Sequence, residues 1–287
     1  MISSVAIVGG THGNETSGIQ LIQNWQRSGA PDLPGAKVSL VTGNPAAVSA
    51  NVRFIEEDLN RQFTVDRLTS AGASLEATRA REINDMLGPK GNSNTGLVID
   101  IHNTTSNMGA TLIILAMDDF NVQLARYVKL HMPDANILLE DDKPYHDHAY
   151  LCTTGQRGVM VEVGAQPQGV LREDVFNEAQ AMVMHILDYC RAVNNNELLV
   201  LPPCEAFRLG ENIHYPLNDN GERTAMIHHH LQDQDFVPLL PGQPVFRTFD
   251  GRDIVWWEEQ ETYPHFINEA AYHKLHVAFA TASLITL

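Results

Sequence analysis

A short glycine-rich segment, residues 9–15 (GGTHGNE), constrains most strongly how this chain can fold. It follows an apolar run at residues 5–8 and precedes a helical pattern of apolar residues at 18–25. A buried strand, a tight turn and a helix in this order are typical of an open α/β sheet, whose reactive groups lie at the carboxyl ends of its strands. His12 and Glu15 lie where such groups are expected.

Strands and helices alternate through the first two thirds of the chain. The predicted strands cover residues 5–9, 38–41, 97–103, 111–117 and 159–164. The predicted helices cover residues 18–25, 75–87, 121–131 and 174–193. Because parallel strands need long crossover connections, this alternation predicts a largely parallel sheet with helices on its faces.

The character of the sequence changes near residue 205. Helical periodicity disappears there, and short β-like runs alternate with Gly and Pro turns. These runs are residues 224–227, 244–248, 254–257 and 277–286. We therefore predict two domains, an α/β domain of residues 1–204 and a mostly β domain of residues 205–287.

Three residues form a pattern of metal ligands. His12 and Glu15 are close in sequence, and His102 lies at the end of another apolar run. Catalytic zinc sites often combine three such ligands and keep the fourth position for water or substrate. The pattern predicts one zinc ion per chain, although either histidine alone would also fit a hydrogen-bonded residue at a strand end. Asp100 points to the same side as His102, either as its hydrogen-bond partner or as an ordinary strand-end aspartate.

Glu162 lies within the apolar run of residues 159–164. A carboxylate in such a position is costly unless it is paired or functional. Burial would raise its pKa towards neutrality, which suits a general acid or base. Glu162 is therefore a candidate general base, and a structural ion pair is the alternative.

The segment of residues 51–63 has no clear periodicity but contains several donors. Arg53, Asn60 and Arg61 would suit an anion-binding loop, since a guanidinium presents a planar fork that matches a carboxylate. The acidic residues 56–58 offer an alternative, in which the arginines form ion pairs on a solvated loop. Composition alone leaves both interpretations open.

Other histidines and the cysteines are given no catalytic role. His146 and His148 are predicted to lie in an exposed loop, and the histidines at 228–230 in a surface turn. Three widely spaced cysteines form no zinc or disulfide pattern, which indicates a reducing cytoplasm. They are Cys152, Cys190 and Cys204.

Composition limits the partners that this chain is expected to bind. The 287 residues carry a formal net charge of −16, which argues against nucleic acid and anionic membranes. There is no apolar run long enough to span a bilayer and no basic or apolar leader, so we expect a cytoplasmic location. A few converging arginines could still attract an anionic small molecule.

Considered together, these segments resemble the aspartoacylase/aminoacylase branch of the succinylglutamate desuccinylase/aspartoacylase family. The resemblance covers nearly the whole chain, with its motifs in the family's order. The matching motifs are residues 9–15 (GGTHGNE), 58–61 (DLNR), 100–109 (DIHNTTSNMG), 162–171 (EVGAQPQGVL), 231–235 (LQDQD) and 268–272 (NEAAY).

The resemblance implies a fold and an activity. The fold would be a zinc-carboxypeptidase-like α/β/α domain with a mixed sheet, followed by a smaller β domain that narrows the entrance to the site. The activity would be zinc-dependent hydrolysis of N-acetyl-L-aspartate to acetate and L-aspartate. An aminoacylase for neutral or aromatic N-acyl amino acids is the alternative, and a non-catalytic binding protein of the same fold is a third possibility. The expected partner is a small N-acyl amino acid, and a homo-oligomer is possible.

The resemblance also implies roles for individual residues. Three of them would bind zinc: His12, Glu15 and His102. Three would hold the substrate carboxylate: Asn60, Arg61 and Tyr272. Glu162 would activate water and later protonate the leaving amine, and Arg53 would bind and polarise the acyl carbonyl.

One segment departs from the family pattern. Aspartoacylase has an arginine just before the general-base strand, and that arginine grips the side-chain carboxylate of the substrate. Here the corresponding residues 150–157 form a shorter segment, in which Arg157 is the candidate for this role. The departure leaves the preference for aspartate over other acyl amino acids open.

Overall fold

An eight-stranded mixed sheet forms the centre of the computed structural model, which describes residues 1–197 and 200–287. The strands are β1 (Ser4–Gly9), β2 (Lys37–Thr42), β3 (Leu97–Asn103), β4 (Gly109–Ile114), β5 (Asn136–Leu139), β6 (Arg157–Gly164), β7 (Glu205–His214), β8 (Ala225–Ile227), β9 (Pro244–Thr248), β10 (Asp253–Val255) and β11 (Val277–Thr286). The α-helices are α1 (Thr16–Ser28), α2 (Pro45–Ala50), α3 (Val65–Thr69), α4 (Leu75–Leu87), α5 (Asp119–His131) and α6 (Glu173–Asn194). Short 3₁₀ helices cover Leu59–Arg61, Tyr145–Asp147, Leu151–Thr154 and Ala270–Leu275.

The strand order across the sheet is β11-β7-β5-β4-β6-β3-β1-β2. Strands β2, β1, β3 and β6 run parallel to one another, whereas β4 is antiparallel to β6. The carboxyl ends of β1, β3 and β6 therefore meet at one edge of the sheet. The mixed α/β sheet predicted from the sequence is confirmed.

Both faces of the sheet are covered, which explains its nearly continuous apolar strands. All seven residues of β3 are buried. Helices α1, α5 and α6 pack on one face with the larger apolar cluster. Helix α4 packs on the other face, together with residues from the loops at 59–63 and 150–152. The apolar stripes of α1, α4, α5 and α6 were recognised in the sequence. Helix α4 has the bounds that were predicted for it.

The predicted strands and helices of the first 204 residues are all present, with ends shifted by a few residues. The strand predicted at residues 111–117 lies at Gly109–Ile114 instead. Helix α2 was not predicted, although Asn44 and Pro45 are a typical start signal. The Asn44 side chain accepts a hydrogen bond from the Ala47 backbone N–H over 3.2 Å.

The C-terminal region is mostly β, as predicted, but it is not a separate sheet throughout. Strand β7 pairs in parallel with β5, and β11 pairs with β7, so both extend the central sheet. Strands β8, β9 and β10 form a small antiparallel sheet with its own apolar core, which includes Phe246, Trp256 and Phe279. Periodicity identifies strands without showing which sheet they join. The division at residue 204 stays a prediction.

The two histidine predictions are each wrong for one residue, since His146, His229 and His230 are exposed as predicted. His148 is fully buried instead of lying in an exposed loop, because Tyr150 stacks on its ring and Lys90 holds its carbonyl oxygen. His228 is also buried, whereas His229 and His230 are exposed. Both buried histidines have polar neighbours in sequence, so the sequence did not show that distant segments would cover them. Among the described residues, no helix combines the length and hydropathy needed to cross a bilayer.

Candidate active site

The turn after β1 and the end of β3 bring the predicted metal ligands together. Nδ1 of His12 lies 2.7 Å from Oε1 of Glu15, and Nδ1 of His102 lies 2.9 Å from Oε2 of Glu15. All three side chains are buried. The Glu15 carboxylate therefore lies between two ring nitrogens, and the three ligand groups converge as those around one ion would.

Two glycines, Gly10 and Gly13, allow the turn after β1 to take its shape and to pack against the backbone of α2. Gly10 has a φ of +74°, which disfavours residues with a Cβ. A Cβ at Gly13 would lie 2.0 Å from the backbone carbonyl carbon of Ala47. The glycine-rich pattern that first indicated a site thus has a steric cause.

The outer nitrogens of both histidine rings contact carboxylates. Nε2 of His12 lies 2.9 Å from Oδ1 of Asp58, and Nε2 of His102 lies 2.9 Å from Oδ2 of Asp100. The other Asp100 oxygen accepts a hydrogen bond from Thr11. A carboxylate on the outer nitrogen orients a metal-binding imidazole and leaves the inner nitrogen for the ion. Asp100 is thus the hydrogen-bond partner of His102.

The converging atoms fit a zinc ion. Nδ1 of His12 is buried and has no hydrogen-bond partner within the described ranges, although a Glu15 oxygen is 2.7 Å away. A cation that takes both atoms as ligands accounts for this arrangement. Burial alone would raise the pKa of Glu15, but the adjacent rings of His12 and His102 lower it below its usual range. Two histidines and one glutamate are a common donor set of catalytic zinc.

Glu162 lies beside the converging ligands. It is the register partner of His102 on β6 and is 9% exposed. Burial raises its pKa well above the usual value, and the carboxylates of Glu15 and Glu269 add to this effect, although His102 and Arg53 oppose it. Glu162 forms no ion pair with any residue that the structure describes, so the alternative of a structural ion pair finds no support.

Arg53 lies between the metal ligands and the anion-binding loop. Its guanidinium is 3.0 Å from Oε1 of Glu15 and 3.4 Å from Oδ2 of Asp58. Its side chain is partly exposed and lines the site. Asp58 also contacts His12, so this carboxylate joins the arginine to the metal ligands.

Asn60, Arg61 and Tyr272 line the same site. The side-chain oxygen of Asn60 accepts a hydrogen bond from the Leu151 N–H, which leaves its amide N–H groups as donors. The Arg61 guanidinium lies over the ring of Tyr150, 5.3 Å from its centroid. Burial raises the pKa of Tyr272, so its hydroxyl stays protonated and can donate. The three predicted carboxylate-binding side chains thus share one cavity with the metal ligands.

Two protein-family models match this chain. The family model described as the succinylglutamate desuccinylase/aspartoacylase catalytic domain matches residues 1–190. The chain belongs to the succinylglutamate desuccinylase/aspartoacylase family. A second model, the AstE/AspA barrel-sandwich hybrid domain, matches residues 202–284. The family predicted from sequence motifs is thereby confirmed.

Relatives named as two different enzymes have similar sequence identity to this chain. An aspartoacylase from Xenopus tropicalis is 42% identical over 100% of this chain and 94% of its own length. An N-acyl-aromatic-L-amino acid amidohydrolase (carboxylate-forming) from the same organism is 40% identical over 97% of this chain and 92% of its own length. The crystal structure of murine aminoacylase 3 superposes with a TM-score of 0.93 at 36% identity, covering 100% of this chain and 96% of that one.

Arg157, the candidate for the family's carboxylate-gripping arginine, is not among the described residues that line the site. Arg157 begins β6, whereas Glu162 lies near the carboxyl end of the same strand, at the site. The Arg157 guanidinium lies over the ring of Phe120, 4.8 Å from its centroid. Residues five apart in a strand are separated by about 16 Å, so its guanidinium cannot reach the site.

Sequence reasoning missed Glu76, which organises the loop that carries Arg53. Its buried carboxylate accepts hydrogen bonds from the Asn44 side chain and from the backbone N–H groups of residues 55–57, over 2.8 to 3.1 Å. These bonds lower its pKa despite burial. Glu76 lies on the apolar face of α4, and a carboxylate in such a position could have indicated its structural role from the sequence.

Two further carboxylates line the site, those of Glu140 and Glu269. Neither of them was given a role from the sequence. Glu269 accepts hydrogen bonds from Thr104 and from the N–H and hydroxyl of Thr105, which ties the segment carrying Tyr272 to the loop after β3. Glu140 directly follows β5 and is buried. The apolar run before Glu140 and the motif that contains Glu269 were visible, but nothing local showed that they meet at one cavity.

Proposed function

We propose that this chain is a zinc-dependent amidohydrolase that removes the acyl group from an N-acyl-L-amino acid. The observation that carries the proposal is the convergence of His12, Glu15 and His102 beside the carboxylate of Glu162, which forms no ion pair within the described ranges. Full-length similarity to two kinds of deacylating enzymes supports it. We include zinc in the proposal because two imidazoles and a carboxylate suit this ion.

The reaction needs an activated water, a proton carrier and a stabilised oxyanion. A zinc ion held by the three ligands would supply a Lewis acid, which lowers the pKa of water to about 7. Glu162 takes a proton from the attacking water and delivers it to the nitrogen of the leaving amine. Its raised pKa suits both transfers. The products are a carboxylic acid from the acyl group and a free amino acid.

Arg53 is proposed to stabilise the oxyanion that forms on the acyl carbon. Its guanidinium is already oriented by Glu15 and Asp58, so it needs little reorganisation during the reaction. Asn60, Arg61 and Tyr272 hold the α-carboxylate of the substrate. Donors on two separate segments, residues 60–61 and the one that carries Tyr272, then fix the acyl carbonyl next to Glu162.

N-acetyl-L-aspartate is the first proposed substrate, giving acetate and L-aspartate. Several aspartoacylases among the relatives support this choice. The second candidate is an N-acyl amino acid with a neutral or aromatic side chain. The position of Arg157 favours this candidate, because Arg157 lies over Phe120 and is not among the described residues that line the site.

The C-terminal region, residues 205–287, is proposed to shape the entrance to the site. Phe266, Glu269 and Tyr272 from this region line the cavity that holds the metal ligands, which supports the proposal. The cytoplasmic location and the homo-oligomer stay predictions.

A substrate panel tests the proposed function. Purified protein is freed of metal by a chelator, reloaded with zinc, and assayed for acetate release from N-acetyl derivatives of aspartate, asparagine, leucine and phenylalanine. We expect release from at least one of them that needs zinc and is lost again on chelation. A protein that holds zinc but releases acetate from none of them would instead be a binding protein of this fold.

A further inference from the structure

A carboxylate lies where the site opens into a neighbouring cavity. Glu140 is 6% exposed and lines both the site and this cavity, which has a volume of about 250 Å³ and includes Leu209 in its wall. Arg61 and Tyr272 also line both spaces. Because these two residues are proposed to hold the α-carboxylate, the side chain of a bound amino acid begins close to Glu140.

Glu140 has few partners of its own. The hydroxyl of Tyr150 donates a hydrogen bond to its Oε2 over 3.1 Å. No basic side chain in the described ranges forms an ion pair with it, and its Oε1 accepts no hydrogen bond from them. Burial raises its pKa, although the Tyr150 hydrogen bond and the charge of Arg61 oppose this. Glu140 therefore offers a substrate a free acceptor in Oε1 and, when it is ionised, a negative charge.

Besides the proposed zinc ion, which would face the acyl group, the site contains little positive charge to balance a second substrate carboxylate. Two guanidiniums line it, those of Arg53 and Arg61. Arg53 is engaged by Glu15 and Asp58. Arg61 forms no ion pair with the residues that the structure describes, so it is free for a ligand. The α-carboxylate of the substrate would take up this one guanidinium.

We propose that Glu140 determines substrate specificity by selecting against a second carboxylate and favouring a neutral side chain that donates a hydrogen bond. A like charge beside a buried carboxylate is unfavourable, whereas a side-chain amide can donate to Oε1. The inference rests on the proposed function and narrows its substrate class. It favours the second candidate of the proposed function, a neutral side chain such as that of N-acetyl-L-asparagine, over the first candidate, N-acetyl-L-aspartate. These two compounds have nearly equal shape.

The test compares kcat/KM for these two compounds in the zinc-loaded full-length protein. Glu140→Gln removes the charge and keeps the shape. We expect the ratio of N-acetyl-L-aspartate to N-acetyl-L-asparagine to rise by about tenfold or more in this variant. Glu140→Asp keeps the charge and should keep the ratio low. Glu205→Gln, an exposed residue at the start of β7, controls for the change in net charge and should leave the ratio as in the wild type.

The ratio separates a specificity role from a structural one, because a packing defect lowers the rates with both compounds together. Where turnover of either compound is too slow to measure, their inhibition constants against the best N-acetyl substrate give the same ratio. If Glu140→Gln does not fold, Glu140→Leu removes the charge in another shape and must shift the ratio in the same direction.

Two negative outcomes are distinguishable. An active Glu140→Gln enzyme with the wild-type ratio would overturn the role of Glu140 and leave the deacylase proposal intact. Zinc-loaded wild type that hydrolyses no N-acyl amino acid would overturn the proposed function and this inference with it.

Discussion

His102 and Glu162 are register partners on the neighbouring parallel strands β3 and β6. Partners in parallel register present their side chains on the same face of the sheet. The proposed base is therefore held beside a proposed metal ligand by backbone pairing, although the two residues are far apart in sequence. Glu15 completes the arrangement from the turn after β1, which pairs with β3 on its other side.

Glu162→Gln should separate catalysis from metal binding. The change keeps the side-chain shape but removes the basic carboxylate, so zinc should remain bound. We expect kcat to fall by about 100-fold or more, the usual contribution of general acid–base catalysis. Steady-state rates and metal analysis on the same sample measure both effects. Near-normal kcat with zinc bound would exclude Glu162 as the base.

Arg61→Lys should impair the enzyme although it keeps the charge. A compact ammonium cannot reproduce the two parallel hydrogen bonds of a guanidinium to a carboxylate. We expect kcat/KM to fall by about tenfold or more, since hydrogen bonds to charged groups contribute about 1.5 to 3 kcal/mol. Comparison with a substrate analogue that carries an amide in place of the α-carboxylate shows which group Arg61 contacts.

The wild type should discriminate strongly against that amide analogue, and the lysine variant much less. Equal discrimination by both enzymes would show that Arg61 does not bind the α-carboxylate. Tyr272 would then be the next residue to test, because Arg157 lies away from the site.

Glu76→Gln should destabilise the loop that carries Arg53. An amide has one oxygen to accept hydrogen bonds and places a donor against backbone N–H groups. We expect the free energy of unfolding to fall by about 1 to 3 kcal/mol, and kcat/KM to fall as Arg53 loses its position. Urea unfolding measures the first effect.

Glu82→Gln is the matched control for the change at Glu76. Glu82 lies on the same helix, is more than half exposed and pairs with Arg79 at the surface. Its loss should change the free energy of unfolding by no more than about 0.5 kcal/mol. Equal effects of the two substitutions would contradict the role of Glu76 in holding the loop.

Asp235 should make the protein less stable as the pH rises from 4 to 7. Burial raises its pKa from 3.8 to about 7, although the N–H groups of Ile267 and Asn107 donate to it. The folded state therefore binds this proton more tightly than the unfolded state does. The resulting stabilisation is complete below pH 3.8 and is lost as the pH rises through about 7, with a slope of up to about 1.4 kcal/mol per pH unit.

Urea unfolding between pH 4 and 7 measures this dependence. Other carboxylates titrate in the same range, so the quantity of interest is the difference between the wild type and Asp235→Asn. The wild type should lose stability more steeply with rising pH than the variant does. Parallel curves would contradict the raised pKa of Asp235.

Local sequence patterns were sufficient for the elements and for the metal ligands. Each of these features can be recognised within a short stretch of sequence. They are the glycines of the first turn, the histidine at the end of β3 and the apolar stripes of the helices. The three ligands were predictable because the carboxyl ends of parallel strands share one edge. His12, Glu15 and His102 do converge there.

The remaining features depend on contacts between distant segments. The pairing of β7 with β5 brings C-terminal strands into the central sheet, and periodicity does not encode such pairing. Arg157 begins β6, at the end of the strand away from the site, and the shortened segment before this strand did not show that its side chain would lie against Phe120. Glu140 reaches the site because β5 joins the sheet beside β4.

Zinc content and acetate release of the His102→Ala variant, measured on the same preparations as the wild type, show whether His102 helps to hold a catalytic zinc ion. We expect about one zinc ion per wild-type chain, as in catalytic sites with three protein ligands. In the variant, zinc content and acetate release should fall together because one of those ligands is lost. Full zinc occupancy in His102→Ala would contradict the account, since His102 could then not be a ligand.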